Sequence, residues 1–491
     1  MHLASDPTPS APSNTPDAFL YERLAASLTA LIEAGTLRPG ERLPSVRRFS
    51  AQQRVSVSTV LQAYRLLEDR RLVEARPQSG FYVRAECRTR PAEPSISTPS
   101  LAAQPVGVGA FVAEVSAVMA DPSIVPLGAA VPSPDLLPTD ALNRTLASVV
   151  RRTGWASNTY LPPQGDADLR HEVARRALDT GATLAPDDLV ITNGCMEALA
   201  LCLRAVAREG DTVIVESPAY FGILQLIESL HLKALEVATD PREGLCLNEL
   251  ERALTKRRVV ACIVTPNFHN PLGSRMPEAK KEILVRLCAV HDVPLLEDDL
   301  YGDLYFEAPR PTSLKAYDET GGVLSCSSFS KTMAPGYRIG WAAPGRYRDA
   351  VIRLKLASTI MTAAPLQHAL TSFLQKGGVE VHLRRLRRAY ADNLARLTQA
   401  VGEHFPEGTR ATRPQGGFVL WVELPEAVSA VALYQEALRR KISIAPGPIF
   451  SATGQYAHHI RLSGGYPWSD RTDRALKTLG RTARRLQESG S

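Results

Sequence analysis

Apolar residues set a helical period from the first structured stretch. Leu20, Leu24, Leu28, Leu31 and Ile32 fall on one face of a helix that starts near Phe19 and stops at Gly35. After a loop containing Arg38, Pro39 and Gly40, Ser45 can cap a short second helix through Phe49. Ser56 can cap a third, which carries Val60, Leu61, Tyr64 and Leu67. The intervening Arg54-Val55-Ser56 has the length of turn that a helix-turn-helix needs. The pattern then changes from helical to extended: Leu72 to Arg76 and Phe81 to Val83 read as two strands joined at Pro77-Gln78-Ser79-Gly80. Three helices and a hairpin predict a winged helix-turn-helix over residues 18–85.

Beyond this block the pattern lapses. Residues 86–115 are rich in Pro, Ala and Ser, with Pro91, Pro94, Pro99 and Pro105, and predict a linker. A flexible coil of about 30 residues would span on the order of 30 Å, enough to reach a second subunit. Residues 1 to 16, rich in Pro, Ser, Thr and Ala, predict a disordered tail. From residue 116 to 488, apolar runs such as Val190-Ile191, 212–215 and 259–264 alternate with helical stretches. Strands rich in β-branched residues and separated by helices predict an α/β fold with a mainly parallel sheet covered on both faces. In the basic run from His382 to Tyr390, the positions Leu383, Leu386, Tyr390, Leu394 and Leu397 keep helical spacing. Its arginines are therefore expected on the wet face of a small-domain helix rather than on nucleic acid.

Composition narrows the class. At 491 residues the chain exceeds the roughly 250–300 at which one core stops growing, so two or more folding units are expected. No apolar run approaches the ~20 residues of a membrane span, and the start lacks the pattern of a secretory signal, which predicts a cytoplasmic protein. Seven cysteines without a Cys-x-x-Cys pair argue against a disulfide framework and a zinc site. The net charge of +6 is modest, but between Asp17 and Arg84 eleven arginines face seven acids. A basic excess on a helix-turn-helix points to a surface for DNA phosphates.

The candidate chemistry lies downstream. Lys331 sits in Ser328-Phe329-Ser330-Lys331-Thr332, with Arg338 seven positions on. A lysine among small hydroxyl residues, followed by an arginine, is what a pyridoxal phosphate Schiff base needs: an amine for the aldehyde, and hydroxyl and guanidinium donors for the phosphate. The remaining parts follow in order. Gly194 precedes a helical stretch, so the amides of Cys195 and Met196 would open a helix N-terminus toward phosphate. Tyr220 is placed to stack on the ring, and Asn270, in Asn270-Pro271-Leu272-Gly273, can donate to the ring oxygen. Asp298 ends an apolar strand, with Tyr301 three residues later. Taken singly, each of these has an ordinary structural reading; six of them in one order do not.

Residues 18–85 resemble the GntR family of winged-helix regulators. The resemblance rests on the run from Leu37 to Arg48, on Val55-Ser56-Val57-Ser58-Thr59-Val60 and on the wing glycine Gly80. It implies that Arg47, Ser56, Ser58 and Thr59 face DNA, with Arg76 and Gln78 at the wing. Where the family often carries an arginine in the recognition helix this chain has Val57 or Leu61, so more phosphate anchoring than base readout is expected. Residues 116–488 resemble fold-type I aminotransferases, near the kynurenine and 2-aminoadipate branch. That resemblance implies an internal aldimine at Lys331, Asp298 on the pyridine nitrogen, and Tyr301 with Asn270 on the ring hydroxyl. It also implies that Ser328, Arg338 and the backbone near Cys195 bind phosphate, that Tyr160 reaches the phosphate of a partner subunit, and that Arg461 binds a substrate carboxylate. Cys195-Met196 stands where the family has Ser or Thr followed by Gln, which keeps the amides and removes side-chain bonds to phosphate. The whole chain resembles the MocR/GabR regulators. This implies a pyridoxal phosphate-dependent, DNA-binding head-to-tail homodimer that senses an amino compound, or the cofactor itself, at Lys331. The alternative is a working aminotransferase with an accessory DNA-binding head.

Overall fold

In the computed structural model the described residues are 19–34, 36–37, 40–69, 72–76, 79–83, 91–117 and 121–490. The chain divides into two compact units, Met1–Thr89 and Arg90–Ser491.

The first unit is the winged helix that the pattern predicts. Helices α1 (Leu20–Glu33), α2 (Val46–Gln53) and α3 (Val57–Asp69) are followed by the antiparallel hairpin β1 (Val73–Arg76) and β2 (Gly80–Val83). Glu22 folds back onto the Phe19 amide at 3.0 Å and satisfies a donor that the start of α1 leaves open. Ser45 accepts from the Arg48 amide at 3.3 Å to start α2, which runs past Phe49 to Gln53. The turn to α3 passes through Arg54 in the left-handed region, φ 53°. Leu24, Ala25, Leu28 and Ile32 of α1 close on Phe49, Val60, Ala63, Tyr64 and Leu67, with Val73 and Val83 of the wing beneath. Tyr64 anchors this core: its ring packs edge-on against Phe81 at 5.1 Å, and its hydroxyl donates to Pro44 O at 2.8 Å. Leu31, expected on the apolar face, is 39% exposed.

The second unit is built on a sheet whose strands lie in the spatial order Gln104–Pro105, Lys233–Asp240, Thr212–Ser217, Ala261–Val264, Leu295–Asp298, Val323–Ser328, Gly340–Ala343 and Val190–Thr192. The pairings from Lys233–Asp240 through Val323–Ser328 are parallel, and Gly340–Ala343 runs antiparallel to both its neighbours. These strands are buried along most of their length because helices cover both faces, which is why they read as unbroken apolar runs rather than alternating ones. A smaller antiparallel sheet, Arg410–Ala411, Val419–Glu423, His459–Ser463 and Ala445–Pro446, packs with the helices Val379–His404, Ala430–Arg439 and Asp470–Ser489. On Val379–His404 the predicted apolar stripe is buried, but Arg387 departs from the expected wet face. It lies 3.7 Å over the Tyr305 ring, donates to Asp303 O and pairs with Glu380.

The flexible linker expected over 86–115 is corrected from residue 91 onward. Ala92 bridges to Arg410, Ser97 Oγ donates to Ser217 O at 2.6 Å, and β3 (Gln104–Pro105) pairs with Ala234 and Lys233. Glu228 accepts from the amides of Val108 and Gly109, which opens α4 (Gly109–Ala117) with Val112 and Val115 buried. Each hold is made to a residue more than a hundred positions away, so the local composition carries no trace of it. The expected tail at 1–16, and the linker arginines Arg84, Arg88 and Arg90, lie outside the described residues.

Candidate functional site

A cavity of about 210 Å³ opens at the carboxyl ends of the parallel strands. Its lining includes Tyr220, Asn270, Asp298, Tyr301, Lys331 and Arg461, six of the residues singled out from the sequence. Strand ends of an α/β sheet are where loops can turn side chains into a common crevice.

Asp298 ends the strand Leu295–Asp298 and is 5% exposed. Its Oδ1 accepts from the Leu300 amide at 3.2 Å and from the Cys195 thiol at 3.4 Å. Burial raises it to about 6, and those two donors hold it from rising further. Lys331 follows the strand Val323–Ser328 in the short turn Phe329–Lys331, and its Nζ donates to Ala130 O at 2.7 Å. Burial, then the neighbouring Arg461, bring its amine down to about 8, against the pull of Asp298. An amine of that basicity is partly neutral near physiological pH and therefore nucleophilic.

Arg461 is bonded to neutral oxygens rather than to an acid. It is fully buried, with its guanidinium 5.2 Å from the Phe450 ring and 5.8 Å from Phe221. Nη1 donates to Asn270 Oδ1 at 3.1 Å and Nη2 donates to Gly128 O, while Nε has no partner. The other face of Asn270 reaches Tyr301, whose hydroxyl burial holds well above the usual phenol range. Tyr220 precedes the helix Phe221–Ser229, and its ring lies back over Gly222, where a Cβ would come within 2.5 Å of it.

The side of the site where the sequence places phosphate binding is built by two glycines. Gly194, at φ 83°, starts the helix Cys195–Val206, and a Cβ there would lie 2.3 Å from Arg338 Nη2. A Cβ on Gly340 would collide with the Gly194 backbone. Their absence lets Arg338 reach the helix N-terminus, donating to Asn193 O at 3.2 Å and to Ser330 Oγ at 3.2 Å. Ser330 was not singled out; its hydroxyl, rather than that of Ser328, meets Arg338. Ser328 Oγ accepts from the Ser330 amide at 3.0 Å, and Ser328 lines a separate cavity of about 50 Å³. Tyr160 does not line the 210 Å³ cavity and is 80% exposed. Sequence reasoning also missed Ser116, Ala130, Val131, Phe221 and Thr265 in the cavity wall. No local motif marks them, because they converge only through the fold.

In the first unit Arg47 and Ser58 are exposed near the entrances of α2 and α3. Ser56 Oγ accepts from the Thr59 amide at 3.1 Å and lies 2.7 Å from both Ser58 Oγ and Thr59 Oγ1, so the three hydroxyls form one cluster at the start of α3. Gly80 sits at the wing with φ 106°, packed over the Arg42 guanidinium. Gln78 and the Arg76 side chain lie outside the described residues.

Comparison with known proteins matches both units. Residues 20–83 match the family of bacterial regulatory proteins, gntR family, and residues 132–469 match aminotransferase class I and II. Over 461 residues the sequence is 42% identical to the HTH-type transcriptional regulator YdcR of Escherichia coli, covering 94% of this chain and 98% of that one. The chain belongs to the gntR-family regulators that carry an aminotransferase class I and II body. The body of this gntR-family regulator is also 31% identical to the 2-aminoadipate transaminase of Thermus thermophilus over 371 residues, 74% of this chain and 91% of the enzyme. The crystal structure of an alpha-aminoadipate aminotransferase from Thermus thermophilus, complexed with N-(5'-phosphopyridoxyl)-L-leucine, superposes with a TM-score of 0.70 at 28% identity, over 78% of this chain and all of that one. The fold is therefore a winged helix joined to a fold-type I aminotransferase body.

Proposed function

We propose that this regulator binds DNA through its head and reads out an amino compound at Lys331 in its body, in the manner of the MocR/GabR type. Its family and fold imply pyridoxal 5'-phosphate as cofactor. The observation that carries the reading is the convergence of a depressed lysine amine, a buried carboxylate and a buried guanidinium bonded to neutral oxygens, its Nε free, on one cavity. The residues fit the group. Asp298 would hold a proton on the pyridine nitrogen, Tyr301 and Asn270 the ring hydroxyl, and Tyr220 the ring face. Arg338, Ser330, Ser328 and the amides of Cys195 and Met196 next to Gly194 would hold the phosphate. When bound, the cofactor supplies an electrophilic carbon for primary amines and an electron-withdrawing ring. The chain supplies the rest: Lys331 Nζ as amine and proton carrier, Asp298 as charge partner, and Arg461 as the seat of a carboxylate.

Arg47, Ser56, Ser58 and Thr59, with Arg76, Gln78 and Gly80 at the wing, are the proposed DNA contacts. Exposure of Arg47 and Ser58 supports this, and the hydroxyl cluster on α3 suits phosphate anchoring. A homodimer is supported by the exposed apolar residues Trp155, Tyr160, Leu356 and Ile360, and Tyr160 would then reach the partner's phosphate site. A cytoplasmic location accords with the absence, among the described residues, of a helix long and apolar enough to cross a membrane. We place the head at 18–85 and the aminotransferase-like body at 116–488, with the 91–115 strap attached to it. A ligand can couple to the head only through a difference in its affinity for two domain arrangements.

Transamination is the second reading, favoured by the complete set Lys331, Asp298, Tyr301, Asn270 and Arg461 in one cavity. Incubating cofactor-loaded protein with amino acids and a keto acid acceptor separates the two. Spectral change without accumulating product supports sensing, and many turnovers per site support an enzyme.

A further inference from the structure

Outside the cavity lining, a cluster of hydroxyls closes around one buried carboxylate. Glu236, in the strand Lys233–Asp240, is 4% exposed. Its Oε1 accepts from the Ala452 amide at 3.1 Å and from Ser217 Oγ at 3.5 Å, and its Oε2 accepts from Ser451 Oγ at 3.2 Å and Thr453 Oγ1 at 3.3 Å. Residues 451–453 follow Phe450, whose ring lies 5.2 Å from the Arg461 guanidinium, 5.7 Å from the Phe221 ring and 5.2 Å from the Trp421 ring. The Phe450 carbonyl in turn accepts from the Ala219 amide at 2.9 Å, one residue before Tyr220. Through one loop, Glu236 therefore grips the aromatic housing of Arg461 and the backbone that presents Tyr220.

The strap joins the same cluster. Ser97 Oγ donates to Ser217 O at 2.6 Å and accepts from the Thr239 amide at 3.2 Å, so one hydroxyl bridges the ends of two neighbouring strands. Ser217 Oγ also lies 2.7 Å from the Tyr456 hydroxyl, and Tyr456 packs edge-on against Trp421 at 5.7 Å. Ser217 and Ser451 are fully buried, so releasing either from Glu236 would leave a polar group unpaired away from water. We propose that Glu236 is a positioning residue for the carboxylate seat at Arg461, and that Ser97 ties the strap into that task. The proposal rests on the reading of Lys331 and Arg461 given above. Capture of a carboxylate and seating of the strap are then linked, and each favours the other by the same factor.

The test titrates full-length, cofactor-loaded protein with the standard L-amino acids and, for the one that binds tightest, with the primary amine left when its carboxylate is removed. Cofactor absorbance reports both. Glu236→Ala is expected to weaken the amino acid by about tenfold, the cost of a misplaced guanidinium, and to leave the amine within about twofold of the parent. Glu236→Gln keeps an acceptor for Ala452 and Ser217 and offers the other two hydroxyls an amide, so it recovers affinity to within about threefold. Ser97→Ala gives a selective loss of about threefold; no effect of that variant removes the strap from the proposal. Equal loss for amino acid and amine, no loss, or no recovery in Glu236→Gln overturns the inference and leaves the reading of Lys331 and Arg461 standing. Should Glu236→Ala not hold cofactor, Ser97→Ala decides alone: selective loss supports the inference, and equal or absent loss overturns it. Binding of no amino acid, or binding indifferent to Arg461→Ala, overturns that reading as well.

Discussion

Arg47 and Ser58 of the head stand in solvent, whereas Asp298, Asn270 and Arg461 of the body are each 5% exposed or less. On the proposed reading, the exposed set would meet a polyanion through contacts that salt screens. Around the buried set water is largely excluded: burial raises the Asp298 carboxylate to about 6 and lowers the amine of half-buried Lys331 beside it to about 8. On the proposed reading the head would offer affinity that is additive and weak at each contact, and the body chemistry that fails when one member is lost. The energetics of folding differ in the same direction. A dozen buried side chains hold the head together, whereas the body has several contiguous clusters.

The largest effect that sharpens this contrast is Lys331→Ala. The visible absorbance of cofactor held covalently by the protein should vanish, while the winged helix keeps its far-UV signature and its DNA retention in the cofactor-free state. Persistent absorbance in the variant would place the attachment elsewhere. Next is Tyr64→Ala in the head, which should cost about 3–5 kcal/mol by opening a cavity in a small core. Limited proteolysis should then cleave the head while the body keeps its cofactor absorbance; loss of both together would mean the units do not fold separately. A third effect concerns pH. Because burial lowers Lys331 to about 8, the rate of cofactor capture by the cofactor-free protein should rise with pH and level off above about 8. A free lysine would keep gaining rate toward about 10.4. Continued acceleration through pH 10 would contradict the depressed amine. Arg47→Ala should weaken operator retention by a few-fold and lower the salt slope by about one unit, the signature of one lost phosphate contact. An unchanged slope removes Arg47 from the interface. The smallest effect is Tyr64→Phe, which removes the bond to Pro44 O and should cost the head about 1 kcal/mol.

Much of this is legible in the sequence. The apolar spacing of Leu24, Leu28, Val60 and Leu67 reports a helical core directly, and Ser45 and Ser56 mark helix starts because their hydroxyls bond the amides that a helix leaves open. That Lys331, Asp298, Asn270 and Tyr220 share one site was legible because one cofactor calls for those residue types and the resemblance supplies their order, and the four line one cavity. The strap from Ala92 to α4 was not, since Pro-, Ala- and Ser-rich sequence is compatible with both a free coil and a chain bonded to distant strands. Ser330 escaped notice beside Ser328 because both flank the same lysine, and only the backbone turn decides which hydroxyl meets Arg338. Cys195 stands where the family has a hydroxyl for phosphate, yet its thiol donates to Asp298. That bond runs between residues 103 positions apart, beyond any local pattern.

Lys355 supplies the internal control for the body. It is fully buried and burial lowers it to about 8, as with Lys331, but its Nζ is enclosed by Pro163 O, Ile191 O and Thr362 Oγ1 and does not line the 210 Å³ cavity. A depressed amine is therefore not sufficient; the cavity and Asp298 distinguish the two lysines. Borohydride reduction of pyridoxal phosphate-loaded protein, followed by peptide mass spectrometry, tests this directly. A single phosphopyridoxyl mass is expected, on the peptide containing Lys331. Modification of Lys355 or of surface lysines, with Lys331 unlabelled, would contradict it.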